Sequence, residues 1–285
     1  MHEKMNREAI LQGSFYPKEK KEIEKQLSEF FSNTKTTKKT DLIISPHAGT
    51  IYSGQTAAHS FSLLNKPETA IILSPNHTGY GEEISVYPKG KWLTPLGETE
   101  VDEKAVEKIT EFFPEAKKDE TAHLQEHSIE VQLIFLQYLF KDFKIVPITL
   151  MTENSEKLEK LAEALIETEK ATGKKFTVIA SSDFTHFESE EKAKEKDFKA
   201  IELIKKMDVK GFHELVESQR LSICGHSPIE VLMSYCKKKD IIKAELIKYN
   251  TSGEKTGDKT NVVAYASIGF FKWKKWKQEK EKTRT

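Results

Sequence analysis

The chain has 285 residues, and its 45 Lys+Arg are balanced by 45 Asp+Glu. That length supports one large buried core. The charge balance leaves no global field to recruit nucleic acid or an anionic membrane. Two cysteines, Cys224 and Cys236, exclude a disulfide framework. No apolar run approaches the roughly 20 residues needed to cross a bilayer, and Met1 to Glu8 holds no apolar signal core. The expectation is a cytoplasmic protein without a nucleic-acid or membrane partner. Nearly all the charge is Lys and Glu, with Arg7, Arg220 and Arg284 as the arginines. That bias fits a thermophile surface or an AT-rich genome, and with it a prokaryotic, by preference archaeal, source.

The first element is a helix from about Lys18 to Phe31, with Ile23, Leu27, Phe30 and Phe31 on one stripe. Leu42-Ile43-Ile44 is a strand ending at Ser45. Gly49 and Gly54 bracket a turn, and Gln55 to Leu64 reads as a helix. Ala70-Ile71-Ile72-Leu73 is the next strand. Two strand–loop–helix signals in succession mark parallel βαβ units. From Ile84 to Val101, short strand-like pieces alternate with Pro88, Gly90, Pro95 and Gly97, which predicts a β-excursion or hairpin. Asp102 caps a helix to Phe113. Glu126 to Phe140 reads as an amphipathic helix with Ile129, Leu133 and Leu136 inward. Ile145-Val146-Pro147-Ile148 is a short strand whose proline predicts an edge or a bulge. A charged helix over Ser155 to Lys170, a strand over Phe176 to Ser182 and a long helix to about Met207 follow. A helix after Lys210, one from Pro228 to Lys238, and two strands, Ala244 to Tyr249 and Val262 to Phe271, complete the pattern. The loop Thr251 to Thr260 reads as mobile. The fold class is α/β: a single domain over 1–271, with a mainly parallel central sheet and helices on both faces. Residues 272–285 form a basic, flexible tail carrying Trp273 and Trp276.

The residues able to do chemistry gather in loops, most of them just after predicted strands. His47 lies in Ser45-Pro46-His47-Ala48-Gly49, His77 in Ser74-Pro75-Asn76-His77, and Asp183 and His186 in Ser181-Ser182-Asp183-Phe184-Thr185-His186. Ligands of open α/β sheets bind outside the carboxyl ends of the strands. Cys224 lies in Ile223-Cys224-Gly225-His226-Ser227-Pro228, just before a helix. Two imidazoles and a thiolate suit a first-row transition metal and leave coordination positions open. Cys224 is alternatively a reactive thiol or a small buried hydrophobe. Asp183 either orients His186 as a general acid/base or caps the helix that follows. His127, in Glu126-His127-Ser128, either reaches the same cleft or sits beside a cap. His59 reads as structural, and His2, His123 and His213 carry no constellation. No phosphate-binding glycine motif follows any strand.

Six segments together resemble the Memo family: Gly13-Ser14-Phe15-Tyr16-Pro17, Pro46-His47-Ala48-Gly49, Pro75-Asn76-His77, Glu126-His127-Ser128-Ile129-Glu130, the Ser181–His186 run and Ile223 to Ile229. The resemblance covers about residues 10 to 271. It implies a fold like the class III extradiol dioxygenases, the LigB-like enzymes, in which two His and one Glu hold a non-haem Fe(II) and a separate His is the acid/base. By that resemblance His47 and His77 match the ligand histidines, Cys224 replaces the glutamate, His186 matches the acid/base and Asp183 lies beside it. Cysteine for carboxylate makes the site softer, which admits Cu(I) or Zn beside Fe(II). Memo proteins are known as iron- and copper-binding redox proteins. In prokaryotes the family occurs with AMMECR-type and radical-SAM proteins, which the resemblance implies as partners. Eukaryotic members are linked to motility and phosphotyrosine-peptide binding. The substrate, a small molecule or a peptide, is left open. The competing readings are a zinc-dependent hydrolase and a non-catalytic adaptor using the same cleft.

Overall fold

A computed structural model describes residues 6–272. At its centre five strands run parallel and side by side, in the order Gly97–Val101, Lys144–Leu150, Thr69–Pro75, Phe176–Ser181 and Leu42–Ser45. Four of them are largely runs of Ile, Val, Leu and Ala because both faces are covered, whereas Gly97–Val101, toward the side of the sheet, is Gly-Glu-Thr-Glu-Val and partly exposed. All seven residues of Thr69–Pro75 are buried. The helices Thr50–Phe61 and Ser128–Leu139 form one covering group. Glu103–Phe112, Ser155–Thr172 and His226–Lys238 form the other. Antiparallel strands extend the sheet at both sides. Val262–Phe271 pairs with Leu42–Ser45 and carries Lys243–Thr251 and the short His186–Glu188. Lys91–Thr94 pairs with Gly97–Val101, and Ile84–Val86 with Lys144–Leu150. The expected α/β architecture and β-excursion are therefore present. Among the described residues no helix is long and apolar enough to cross a membrane. Residues 273–285, on which most of the expected tail falls, lie outside the described residues.

Several local readings are corrected. Gly54 does not bracket a turn; it lies inside the helix Thr50–Phe61. A Cβ there would stand 2.4 Å from the Phe30 ring, so the glycine lets the helix Lys20–Ser32 pack close. Helix Ser128–Leu139 is not amphipathic: every residue from Ser128 to Gln137 is buried. Several of its inward polar groups find partners, as when Gln137 meets Thr94 and Thr99, though Gln132 Oε1 has none among the described residues. Pro147 is at neither an edge nor a bulge. Its carbonyl accepts from Tyr87 N, so its nitrogen faces the same side of the strand. There the parallel partner ends at Val101↔Ile145 and the antiparallel one begins at Val86↔Ile148. The missing N–H falls at that changeover, where no ladder bond is lost. The long helix after Phe176–Ser181 starts only at Glu190, capped by Ser189, so Asp183 is not its cap. The loop after Thr251 holds a one-turn helix, Gly253–Thr256.

Candidate metal centre

Three parallel strands deliver the site. His47, His77 and Asp183 each stand two residues beyond the carboxyl end of a strand, on neighbouring loops. Cys224 arrives from the loop between helices Val209–Gln219 and His226–Lys238. Gly225 makes that approach feasible. A Cβ on it would lie 2.3 Å from the Ser181 carbonyl oxygen and 2.5 Å from Ser182 Cβ. In its place the Gly225 N–H donates to Ser182 Oγ at 3.0 Å. One donor atom each from His47, His77 and Cys224 lies within 4.8 Å of the others. His47 is wholly buried, Cys224 half-buried, and His77 faces solvent.

The imidazoles are held from behind. His77 Nδ1 faces Glu126 Oε1 at 2.9 Å, and its backbone N–H donates to Oε2 at 2.7 Å. His186 Nδ1 faces the Ser222 carbonyl at 2.8 Å. A carboxylate and a carbonyl only accept, so both rings carry a proton on Nδ1, which leaves Nε2 as the donor atom of the neutral ring. His47 Nδ1 meets a hydroxyl, Ser181 Oγ, at 2.8 Å, and its Nε2 lies 3.2 Å from Cys224 Sγ. His127 completes a cluster of three rings, 5.3 Å from His47 and 4.4 Å from His77 between centroids. Phe15 packs on it at 4.8 Å.

Asp183 does something other than hold His186. Its Oδ1 accepts from the backbone N–H groups of His47 (2.8 Å) and Ala48 (3.4 Å). Its own N–H donates to Cys224 Sγ at 3.2 Å. Asp183 thus ties the His47 loop to the Cys224 loop. Among the described residues no hydrogen bond joins its carboxyl to the His186 ring, whose orienting partner is Ser222. Glu126 has a larger part than its place before a helix suggested. Fully buried, it binds His77 twice and also accepts from Ser128 N and Oγ. Glu126, His77 and His127 form a second group with metal-ligand spacing. The Glu126 oxygens are already engaged, which leaves the first group as the better-equipped one.

Burial sets the protonation of the centre. It holds His47 well below the usual imidazole range, with the neighbouring His127 and His77 adding to the effect. It takes His127 down to about 4. It pushes the Cys224 thiol well up, helped by Asp183. Asp183 rises to about 6 because burial outweighs its N–H donors. Burial would raise Glu126 too, but the bonds from His77 and Ser128 prevail and bring it to about 2. Without a cation burial thus favours the neutral thiol of Cys224 beside the neutral rings of His47 and His127.

A family model described as Memo-like protein matches residues 7–269. The chain belongs to the Memo family. A MEMO1 family protein of Desulfurococcus amylolyticus is 41% identical over 280 residues, covering 93% of this chain and 99% of the relative. One from Saccharolobus islandicus is 41% identical over 283 residues, with the same shares. One from Sulfolobus acidocaldarius is 40% identical over 275 residues, covering 90% and 96%. All six segments that carry the Memo resemblance lie inside the matched span. His59 stays away from this centre, half-buried on its helix, and His123 is buried between Ser85 and Thr149.

Proposed function

We propose that this Memo protein is a mononuclear metal-binding redox protein, with His47, His77 and Cys224 as ligands and Fe(II) as the first choice over Cu(I) and Zn. The observation that carries this is the convergence of two imidazoles and a thiol, from three separate loops, within 4.8 Å. The donor set fits such an ion: two neutral imidazoles, one sulfur and a solvent-facing side at His77. When bound, the ion would supply one-electron and oxygen chemistry of the kind carried by non-haem iron, which relates the protein to extradiol dioxygenases.

The chain's own contribution starts with Cys224, which gives up its proton on binding because the thiolate is the ligand. His47 and His77 bind as neutral rings, and burial keeps His47 in that form at any physiological pH. His186 is the proposed general acid/base. With Nδ1 committed to Ser222, it accepts a substrate proton at Nε2 and returns it from there. Asp183 positions the two loops and is not a proton carrier in this reading. His127 lies beside the ligands as a further ring facing the same space. A zinc-dependent hydrolase would use the same donors. AMMECR-type and radical-SAM partners, and a cytoplasmic location, belong to this proposal through the family.

The test is anaerobic purification followed by metal analysis of wild type, Cys224→Ser, His77→Ala and His186→Ala. About one iron per wild-type chain is expected, lost in the first two variants and kept in His186→Ala. Zinc in place of iron supports the hydrolase. Full metal content in Cys224→Ser and His77→Ala together refutes the ligand assignment. Loss in His186→Ala would make that residue a ligand and remove its acid/base role.

A further inference from the structure

Three contacts converge on one hydroxyl behind His47. Ser181 Oγ lies 2.8 Å from the Ser128 carbonyl oxygen, 2.7 Å from Gln132 Nε2 and 2.8 Å from His47 Nδ1. All four residues are buried, so water does not relieve an unmatched pair. The carbonyl only accepts. The Gln132 amide is oriented by two more carbonyls, Pro46 O at 2.9 Å and Ser45 O at 3.3 Å. Turning it over would set Gln132 Oε1 against those oxygens, so its nitrogen faces Ser181 as a donor. A serine has one proton and accepts up to two. That proton belongs between Ser181 Oγ and Ser128 O, where two oxygens at 2.8 Å without a proton would repel. Gln132 fills one acceptor position. The contact to His47 is then satisfied only if the imidazole donates.

We propose that Ser181, itself held by Gln132, fixes His47 as the Nδ1–H tautomer and thereby aims the Nε2 lone pair at the Cys224 side of the metal centre. Ser181 and Gln132 are positioning residues. They do for the buried ring what Glu126 does for the exposed one, but with a neutral acceptor. His47 is therefore the less basic of the two imidazoles toward a cation, because a hydroxyl raises ring basicity less than a carboxylate does. The remaining contact is compatible with this tautomer: Nε2 is an acceptor 3.2 Å from Cys224 Sγ, whose S–H has the Asp183 carbonyl at 3.6 Å as its other acceptor.

The tautomer itself does not depend on the metal reading; only the affinity arm rests on it. The experiment is a long-range proton–nitrogen NMR correlation on metal-free protein with ¹⁵N-labelled histidine, with the His47 signal assigned by its loss in His47→Asn. A protonated Nδ1 and an unprotonated Nε2 are expected in wild type. The reverse pattern overturns the proposal whether or not any metal binds. Ser181→Ala should release the ring to a mixture of tautomers and weaken Fe(II) or Co(II) binding about 10- to 100-fold. Ser181→Thr, which keeps the hydroxyl, should restore the wild-type pattern. An unchanged tautomer in a folded Ser181→Ala also overturns it. The predicted tautomer in a wild type that binds no metal would instead refute the metal reading and leave this inference standing.

Discussion

The two ends of the parallel sheet differ in kind. At the amino ends lie two open clefts. One of about 910 Å³ is lined by Lys38, Lys39, Lys175, Lys239 and Lys243 among others. Another of about 500 Å³ lies around Glu98, Glu100, Lys141 and Lys174. Their charges are long, solvated and paired locally, as in Lys175 with Asp41 and Lys243 with Glu245. At the carboxyl ends His47, His77, Asp183, Glu126 and Cys224 share tight, directed hydrogen bonds. The clefts do not mark the proposed centre. Buried polar groups with accounted-for partners do, because only there is each group's position enforced by the cost of leaving it unpaired.

The largest expected effect that sharpens this contrast comes from Gly225→Ala. The added Cβ would meet Ser181 O at 2.3 Å, a collision with backbone that no side-chain rotation relieves. A loss of about 3 kcal/mol and of metal binding is expected from overpacking. Thermal melting and metal titration check it, and a well-folded variant with unchanged affinity would mean the Cys224 loop is free to shift.

Glu126→Gln comes next. It removes a buried charge from four bonds and should cost about 1–3 kcal/mol at pH 7. The sign of its pH dependence follows from a carboxyl brought down to about 2 in the folded state. Its stabilisation is present above the ordinary carboxylate pKa and disappears as pH falls toward 2. The gap between wild type and Glu126→Gln in denaturant melts should therefore narrow from pH 5 to pH 2. A gap that widens on acidification would show that Glu126 is protonated in the native protein.

The smallest effect belongs to the amino end. Lys175→Ala breaks an exposed pair with Asp41 and should change stability by about 0–1 kcal/mol, with metal affinity unaltered. If it weakens metal binding as Glu126→Gln does, the separation of the two ends is false.

Much of the frame was legible because parallel strands are short apolar runs followed by glycine, proline or polar loops. Val178, Ile71 and Ile43 announce themselves in that way. The loops holding His47, His77 and Asp183 were placed by the same logic, since each follows its strand by two residues. Less was legible wherever a residue's meaning depends on its neighbour across space. Gly54 looked like a turn because only the ring of Phe30, from another helix, explains it inside one. Helix Ser128–Leu139 looked amphipathic because Glu130, Gln132 and Gln137 are polar, and sequence does not show that their partners lie inside the protein. Asp183 was paired with His186 by nearness along the chain, whereas its bonds go to His47 and Ala48, more than a hundred residues away. Ser181 and Gln132 carried no signal at all: a serine at a strand end and a glutamine in a helix are ordinary until their proton count is taken.

The carboxylate of Glu130, fully buried, binds Arg7, the Tyr16 hydroxyl and the backbone N–H groups of Ile10 and Leu11. Every one of those partners precedes it by at least 114 residues. Residues 7 to 16 also dock on earlier parts of the chain, Arg7 beside Trp92 and Phe15 against Thr50, but the carboxylate they enclose comes from residue 130. Without that segment in place Glu130 faces a choice between water and an unpaired burial that costs several kcal/mol. Burial of helix Ser128–Leu139, and with it of Gln132, therefore depends on residues 7 to 16 being docked. The back of the centre thus leans on a segment more than a hundred residues earlier in the chain.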